Sequence, residues 1–235
     1  MGQHASHLLP ADDSGYRIQP RDCEFLGISP EQVEHWSNRE APLGMTPTEF
    51  RDFSSSLYDA LAREGFTRED LDLRLQGSSA RFLSGEHKSL PLGEDLQDNP
   101  DARARMDTWL GDDADRPLRR PFDSMHRVGL DDEPSDYDLQ ISSDAMVDAC
   151  RQRWEADGSQ GSLTNRKYGF VVKELFNDMF PALWEWVDEW TERTGRPVAP
   201  ALFPSSGPPD TSAGGVSSHF RESDWQIRPE GSAPQ

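Results

Sequence analysis

The sequence predicts an α+β fold in which a short mixed sheet is flanked by helices. Two stretches, 71–76 and 137–142, alternate apolar and polar residues, which is the period of a strand with one buried face. Elsewhere apolar residues recur every three or four positions, as on one face of a helix. Only 34% of the 235 residues are hydrophobic. We therefore expect the core to use part of the chain, with the remainder in loops and tails.

Composition divides the chain into an arm, a domain and a tail. Residues 1–20 and 228–235 lack apolar periodicity and are predicted to be flexible, which leaves a single domain over 21–227. The segment 85–134 is rich in Asp, Pro, Gly and Arg, so we predict a long insertion. Irregular segments of this length are more often functional or disordered than packed connectors.

Helix signals recur along the chain. Ser29 is predicted to be an N-cap, with Pro30 at the first helical position and Gln32 closing a capping box. The same pattern at 46–49 begins a helix that runs to about residue 64. The 85–134 segment contains two short helical patterns, at 100–110 and 122–128.

The second half of the chain predicts further helices and two strands. A helix capped by Ser143 or Asp144 follows the 137–142 strand. A helical region over 168–193 is kinked or split by Pro181, and within it we expect Trp184 in the core and Trp186 away from it. The apolar run 198–203 contains a proline and so fits a sheet edge. A last short strand is predicted within 218–227.

Charge and cysteine content limit the partners and the compartment. The net charge of −19 repels nucleic-acid phosphates and anionic membranes at long range. A nucleic-acid partner is disfavoured but not excluded, because a basic groove can exist locally. No apolar run approaches the roughly 18 residues of a membrane span. The two cysteines have no metal-ligand spacing and do not imply a disulfide framework, so a reducing cytoplasm is predicted.

Asp136 and Asp138 are the first candidate site residues. Residues i and i+2 of a strand point to the same face, so the two carboxylates would aim at one point. Paired carboxylates suit a hard cation such as Mg²⁺, or Mn²⁺ in its place. The alternative is a solvated turn at the start of a strand, where Asp and Ser are common.

The second candidate is the turn Gly77-Ser78-Ser79, which directly follows the 71–76 strand. A strand that runs through a glycine-serine turn into a helix exposes backbone N–H groups, which can hold phosphate oxygens. Such a pair alone is common in ordinary loops.

Together the two motifs resemble the polymerase-β-type nucleotidyltransferase superfamily. The nearest resemblance is to small bacterial members with a Gly-Ser-x-Ala-Arg turn and a Ser-Asp-x-Asp-Leu strand, present here at 77–81 and 135–139. The resemblance covers these motifs and the order of strands and helices around them.

The resemblance implies a metal-dependent enzyme that moves a nucleoside monophosphate from an NTP to a hydroxyl acceptor. Asp136 and Asp138 would bind Mg²⁺, and Gly77, Ser78 and Ser79 would hold the triphosphate. Arg81 would face the phosphates or support the turn. The acceptor is left open between a small molecule, a protein side chain and an RNA end.

The chain departs from the family pattern in two ways. The family joins its two motifs by a short connection, whereas here the 85–134 insertion lies between them and would form a lid or a specificity loop. Surface insertions of this kind cost little loop-closure entropy. The family also places a third carboxylate on a later strand, and Asp224 is the predicted substitute, ahead of Asp188 and Asp210.

Two other functions remain open on the sequence. One is a catalytically degenerate nucleotide-binding or protein-interaction module, for example in a toxin–antitoxin or defence system. The other is an acidic α-helical interaction protein in which both motifs are coincidental.

Overall fold

The computed structural model describes residues 15–111, 115–209, 220 and 224–228. In this part of the chain the helices are α1 (Pro20–Leu26), α2 (Pro30–Ser37), α3 (Pro47–Arg63), α4 (Gly77–Arg81), α5 (Pro100–Leu110), α6 (Ser124–Val128), α7 (Asp144–Ala156), α8 (Lys173–Met179) and α9 (Pro181–Thr194). The strands are β1 (Asp72–Gln76), β2 (Tyr137–Ser142), β3 (Val198–Phe203) and β4 (Trp225–Ile227). α1 has no counterpart among the predicted elements.

The chain divides into two compact units that alternate along the sequence. One consists of Met1–Pro47 and Gly77–Ser135, and the other of Thr48–Gln76 and Asp136–Gln235. The 85–134 segment shares its unit with the residues around α1 and α2.

The first unit contains α1, α2, α4, α5 and α6. Residues 82–90 run beside 118–122, joined by backbone bonds such as Ser84 N to Arg120 O at 2.9 Å and Phe122 N to Phe82 O at 2.8 Å. Helix α5 begins as predicted, with the Asn99 side chain accepting from the backbone N–H of Ala102. Phe25 stacks on Trp109 at a ring-centroid distance of 4.7 Å. The 85–134 segment thus contributes buried residues to this unit.

The second unit contains a mixed four-stranded sheet in the order β3-β2-β1-β4. β1 pairs antiparallel with both β2 and β4, while β2 pairs parallel with β3. The predicted α+β class, with a small mixed sheet flanked by helices, is therefore confirmed. β3 lies at an edge of the sheet, where the ladder tolerates Pro200.

The two faces of the sheet differ in polarity because side chains alternate along each strand. On the buried face lie Leu73, Leu75, Tyr137, Leu139 and Ile141, each no more than 1% exposed. The other face contains Arg74 and Gln76 of β1 and Asp138 and Gln140 of β2. The predicted alternation is confirmed for β1, whereas in β2 Gln140 and Ser142 of the other face are buried as well.

Aromatic side chains of α3 and α9 pack beside the buried face. Phe53 of α3 lies 6.2 Å from the Tyr137 ring and 4.7 Å from the Trp186 ring. The prediction for the tryptophans was wrong: Trp186 is buried at 2% exposure, whereas Trp184 is only partly buried. α8 ends at Met179 and α9 begins at Pro181, so the apolar stripe of α8 does not continue in phase through α9.

Ser56 accepts hydrogen bonds from two buried indoles. Its Oγ lies 2.8 Å from Nε1 of Trp186 and 3.0 Å from Nε1 of Trp190. We expect Ser56→Ala to lower the free energy of unfolding by about 2 kcal/mol, because both N–H donors lose this acceptor. Chemical denaturation measures the change. Ser55→Ala, at the exposed neighbouring position, is the matched control, and equal stability of the two variants would contradict the expectation.

No helix in the described part of the chain is long and apolar enough to cross a lipid bilayer.

Candidate functional site

The predicted metal-binding pair lies at the start of β2. Asp136 immediately precedes the strand and Asp138 is its second residue, with Tyr137 fully buried between them. Both aspartates are partly exposed. Asp138 therefore lies on the polar face of the sheet with one side open to solvent, as a residue that meets a ligand must.

Gln76 lies directly opposite Asp138 in the antiparallel pairing of β1 with β2. Its Nε2 donates to Oδ2 of Asp224 at 3.1 Å and also to Oε1 of Gln140. Gln140 in turn donates from Nε2 to Oγ of Ser142 at 2.9 Å. A connected set of side chains thus joins β2, β1 and the residue that precedes β4.

Asp224, the predicted third carboxylate, lies next to this set. It immediately precedes β4, and its side chain is buried, with 5% of the residue exposed. The pairing of Leu75 with Trp225 brings Asp224 beside Gln76, not beside Asp138. Asp188 is exposed on α9. Asp210 lies outside the described residues.

The carboxylates do not gather into one cluster. Within residues 15–111, 115–209, 220 and 224–228, no group of three or more His, Cys, Asp or Glu side chains could hold a metal ion. Two carboxylates are nevertheless compatible with Mg²⁺, which proteins usually hold through one or two carboxylates together with substrate phosphates. Asp136 and Asp138 fit that smaller requirement.

Arg74, in the middle of β1, also lies on the polar face. Arg74 donates from Nη2 to Oδ2 of Asp72 at 3.0 Å, and its guanidinium carbon lies 4.1 Å from the ring centroid of Phe220. Arg74 thus pairs with Asp72 of the same strand.

The Gly77 turn belongs to the first unit. Gly77 has a φ of 74°, in the left-handed region that favours glycine. α4 begins at this residue. Ser78, Ser79 and Arg81 are buried. The helix is anchored by two bonds to its carbonyls, from Leu43 N to Ser79 O at 2.9 Å and from Trp36 Nε1 to Ala80 O at 3.0 Å.

The structure therefore brings together one part of the predicted site. Asp224 is hydrogen-bonded to Gln76, which lies directly opposite Asp138 in the strand pairing and which the sequence does not single out. Its signal was present, because Gln76 continues the polar alternation of β1 and directly precedes the Gly77 turn. The partner opposite it, however, depends on the strand register.

Comparison of the chain with protein-family models, with curated proteins and with solved structures gave no match.

Proposed function

We propose that the chain is a metal-dependent nucleotidyltransferase, which moves a nucleoside monophosphate from an NTP to a hydroxyl acceptor. One observation supports the proposal above the others. β1, which directly precedes the Gly77 motif, is the antiparallel neighbour of β2, which contains Asp138, and Asp138 lies opposite Gln76, the residue before Gly77 in the chain. Two motifs that matched by coincidence would not be expected at paired strands. The sheet itself contradicts the all-helical alternative.

In the proposed reaction the acceptor oxygen attacks the α-phosphorus of the NTP. The bond from this phosphorus to the bridging oxygen breaks, pyrophosphate leaves, and the hydroxyl proton is released to solvent. Such transfer depends on positioning and on neutralising phosphate charge. A divalent cation, Mg²⁺ or Mn²⁺, would supply that neutralisation.

The roles of the residues in this proposal follow from their chemistry. Asp136 and Asp138 would hold the cation, because carboxylate oxygens are the ligands that it prefers. Backbone N–H groups and hydroxyls at Gly77, Ser78 and Ser79 would hold the phosphates, with Arg81 facing the phosphates or supporting the turn. Both cysteines are free thiols. We propose a reducing cytoplasm as the compartment, since free thiols persist there.

The second candidate is a nucleotide-binding or protein-interaction module without turnover, as found in toxin–antitoxin and defence systems. It is favoured by one observation, which is that no three-carboxylate group occurs among the described residues. A pair of carboxylates is compatible with nucleotide binding through a cation. The third acid of the family pattern, however, is not grouped with them in the part of the chain that the structure describes.

Incubation of the full chain with each labelled NTP and either Mg²⁺ or Mn²⁺ distinguishes the two candidates. We expect pyrophosphate release that requires the divalent cation and label transfer to a protein, small-molecule or RNA acceptor. Binding of the NTP without pyrophosphate release would favour the second candidate. Release that persists unchanged in the Asp136→Ala/Asp138→Ala double variant would overturn the assigned site.

A further inference from the structure

The Gln76 side chain bonds the buried Asp224, and Gln76 itself lies directly opposite Asp138 in the pairing of β1 with β2. Asp224 accepts the amide hydrogen bond of Gln76 at 3.1 Å, and Gln140, only 2% exposed, accepts a second bond from the same nitrogen. Two partners on two neighbouring strands therefore hold one amide group.

These partners determine which end of the amide faces them. A carboxylate oxygen only accepts hydrogen bonds, so the nitrogen of Gln76 must point at Asp224. The same orientation satisfies Oε1 of Gln140, whose own nitrogen is directed to Ser142. The carbonyl oxygen Oε1 of Gln76 is therefore the end directed away from Asp224.

The register places Gln76, and not Asp224, next to Asp138. Directly opposed residues of an antiparallel pair have Cβ atoms roughly 5 Å apart, close enough for their side chains to share one ligand. Asp224 lies one strand further away, and neighbouring strands are roughly 4.8 Å apart, so its backbone is about 10 Å from that of Asp138. A direct role for Asp224 at the same cation is geometrically the poorer assignment.

We propose that Gln76 Oε1 supplies the third oxygen ligand beside Asp136 and Asp138, and that Asp224 is a positioning residue for the Gln76 amide. Glutamine carbonyls are established oxygen ligands for hard divalent cations. Groups that orient such ligands through hydrogen bonds strongly affect affinity for the metal. The inference rests on the proposed function in one respect, the assignment of a cation to the two aspartates.

The test is Mn²⁺ binding to the full chain without nucleotide, measured by calorimetry and by electron paramagnetic resonance. We expect Gln76→Ala and Asp224→Ala each to weaken binding by about 10- to 100-fold, the range found when a ligand's orienting partner is lost. Asp224→Asn is expected to restore most of the affinity, because its amide oxygen still accepts from Gln76. In the Gln76→Ala background, Asp224→Ala is expected to cause no further loss.

Gln226→Ala is the matched control, since Gln226 is an exposed residue of β4 that bonds Asp72 at 3.5 Å. Thermal melting compares the folding of all variants. If Asp224→Ala does not fold, Gln76→Ala and Asp224→Asn still carry the test, with loss expected in the first and retention in the second.

Two results would overturn the inference. In the first, Asp224→Asn binds Mn²⁺ as weakly as Gln76→Ala or the folded Asp224→Ala variant. That result would mean that Asp224 contributes to metal binding through its charge. The other is additive loss in the double variant. Failure of the proposed function looks different: the expected Mn²⁺ binding pattern without pyrophosphate release would leave the inference standing and exclude turnover.

Discussion

Asp138→Asn is expected to reduce metal-dependent pyrophosphate release by roughly 10²–10³-fold, the loss typical when one electrostatic contact to developing charge is removed. The substitution keeps the shape of the side chain but removes the negative charge that would hold the cation. Asp138 lies on the polar face of β2 and is partly exposed, so the buried face of the sheet is unchanged. Steady-state assays at saturating NTP measure the effect.

The matched control for this variant is Asp148→Asn. Asp148 is an exposed aspartate of α7 that forms an ion pair with Arg151, and its loss changes the net charge by the same amount. We expect its rate to equal that of the parent chain. Equal rates for the parent, the control and Asp138→Asn would exclude Asp138 from the reaction.

Asp22→Ala is expected to lower the free energy of unfolding by about 3 kcal/mol, because several donors lose the charged group that accepts their hydrogen bonds. The carboxylate of Asp22 is fully buried in the first unit. One oxygen accepts from Tyr16 Oη and from Gln19 N, both at 2.8 Å, and the other accepts from Trp109 Nε1 at 3.0 Å. The substitution leaves these donors without this acceptor, and chemical denaturation followed by circular dichroism measures the cost.

Asp22→Asn tests why the carboxylate is needed. Both oxygens accept, so an amide would place its NH₂ group against a donor and restore little of the stability. Burial and the negative charge of Asp22 raise the pKa of Tyr16 above its ordinary value, and that pKa should fall in the variant. Asp101→Ala, an exposed acid at the start of α5, is the control. Stability of Asp22→Asn equal to that of the parent would contradict this account.

Several elements were predictable because their signals are local. The Ser29 cap, Pro30 and Gln32 form the expected capping box at the start of α2. α5 and β2 have the predicted bounds, since a cap with a following proline and a strict alternation are each complete within one element. Even α1 had such signals in Pro20 and in Gly27, whose φ of 70° ends the helix.

The candidate site was predictable only in part. Asp138 stands out because its partner Asp136 is only two residues away, immediately before the same strand. The hydrogen bond from Gln76 to Asp224 spans 148 positions, and no local pattern predicts such a contact. Asp22 resembles many acids in the first turn of a helix, and its burial depends on Trp109 of a distant helix.

By itself, the sequence determined most of the segments that form strands and helices and the buried faces of β1 and β2, because alternation, periodicity and caps act over a few residues. Only the tertiary structure decided that β4 pairs with β1, that Gln76 lies between Asp138 and Asp224, and that Trp186 is buried. Those outcomes depend on strand register and on packing between residues far apart in the chain. Their free energies come from contacts that form only after the elements have met.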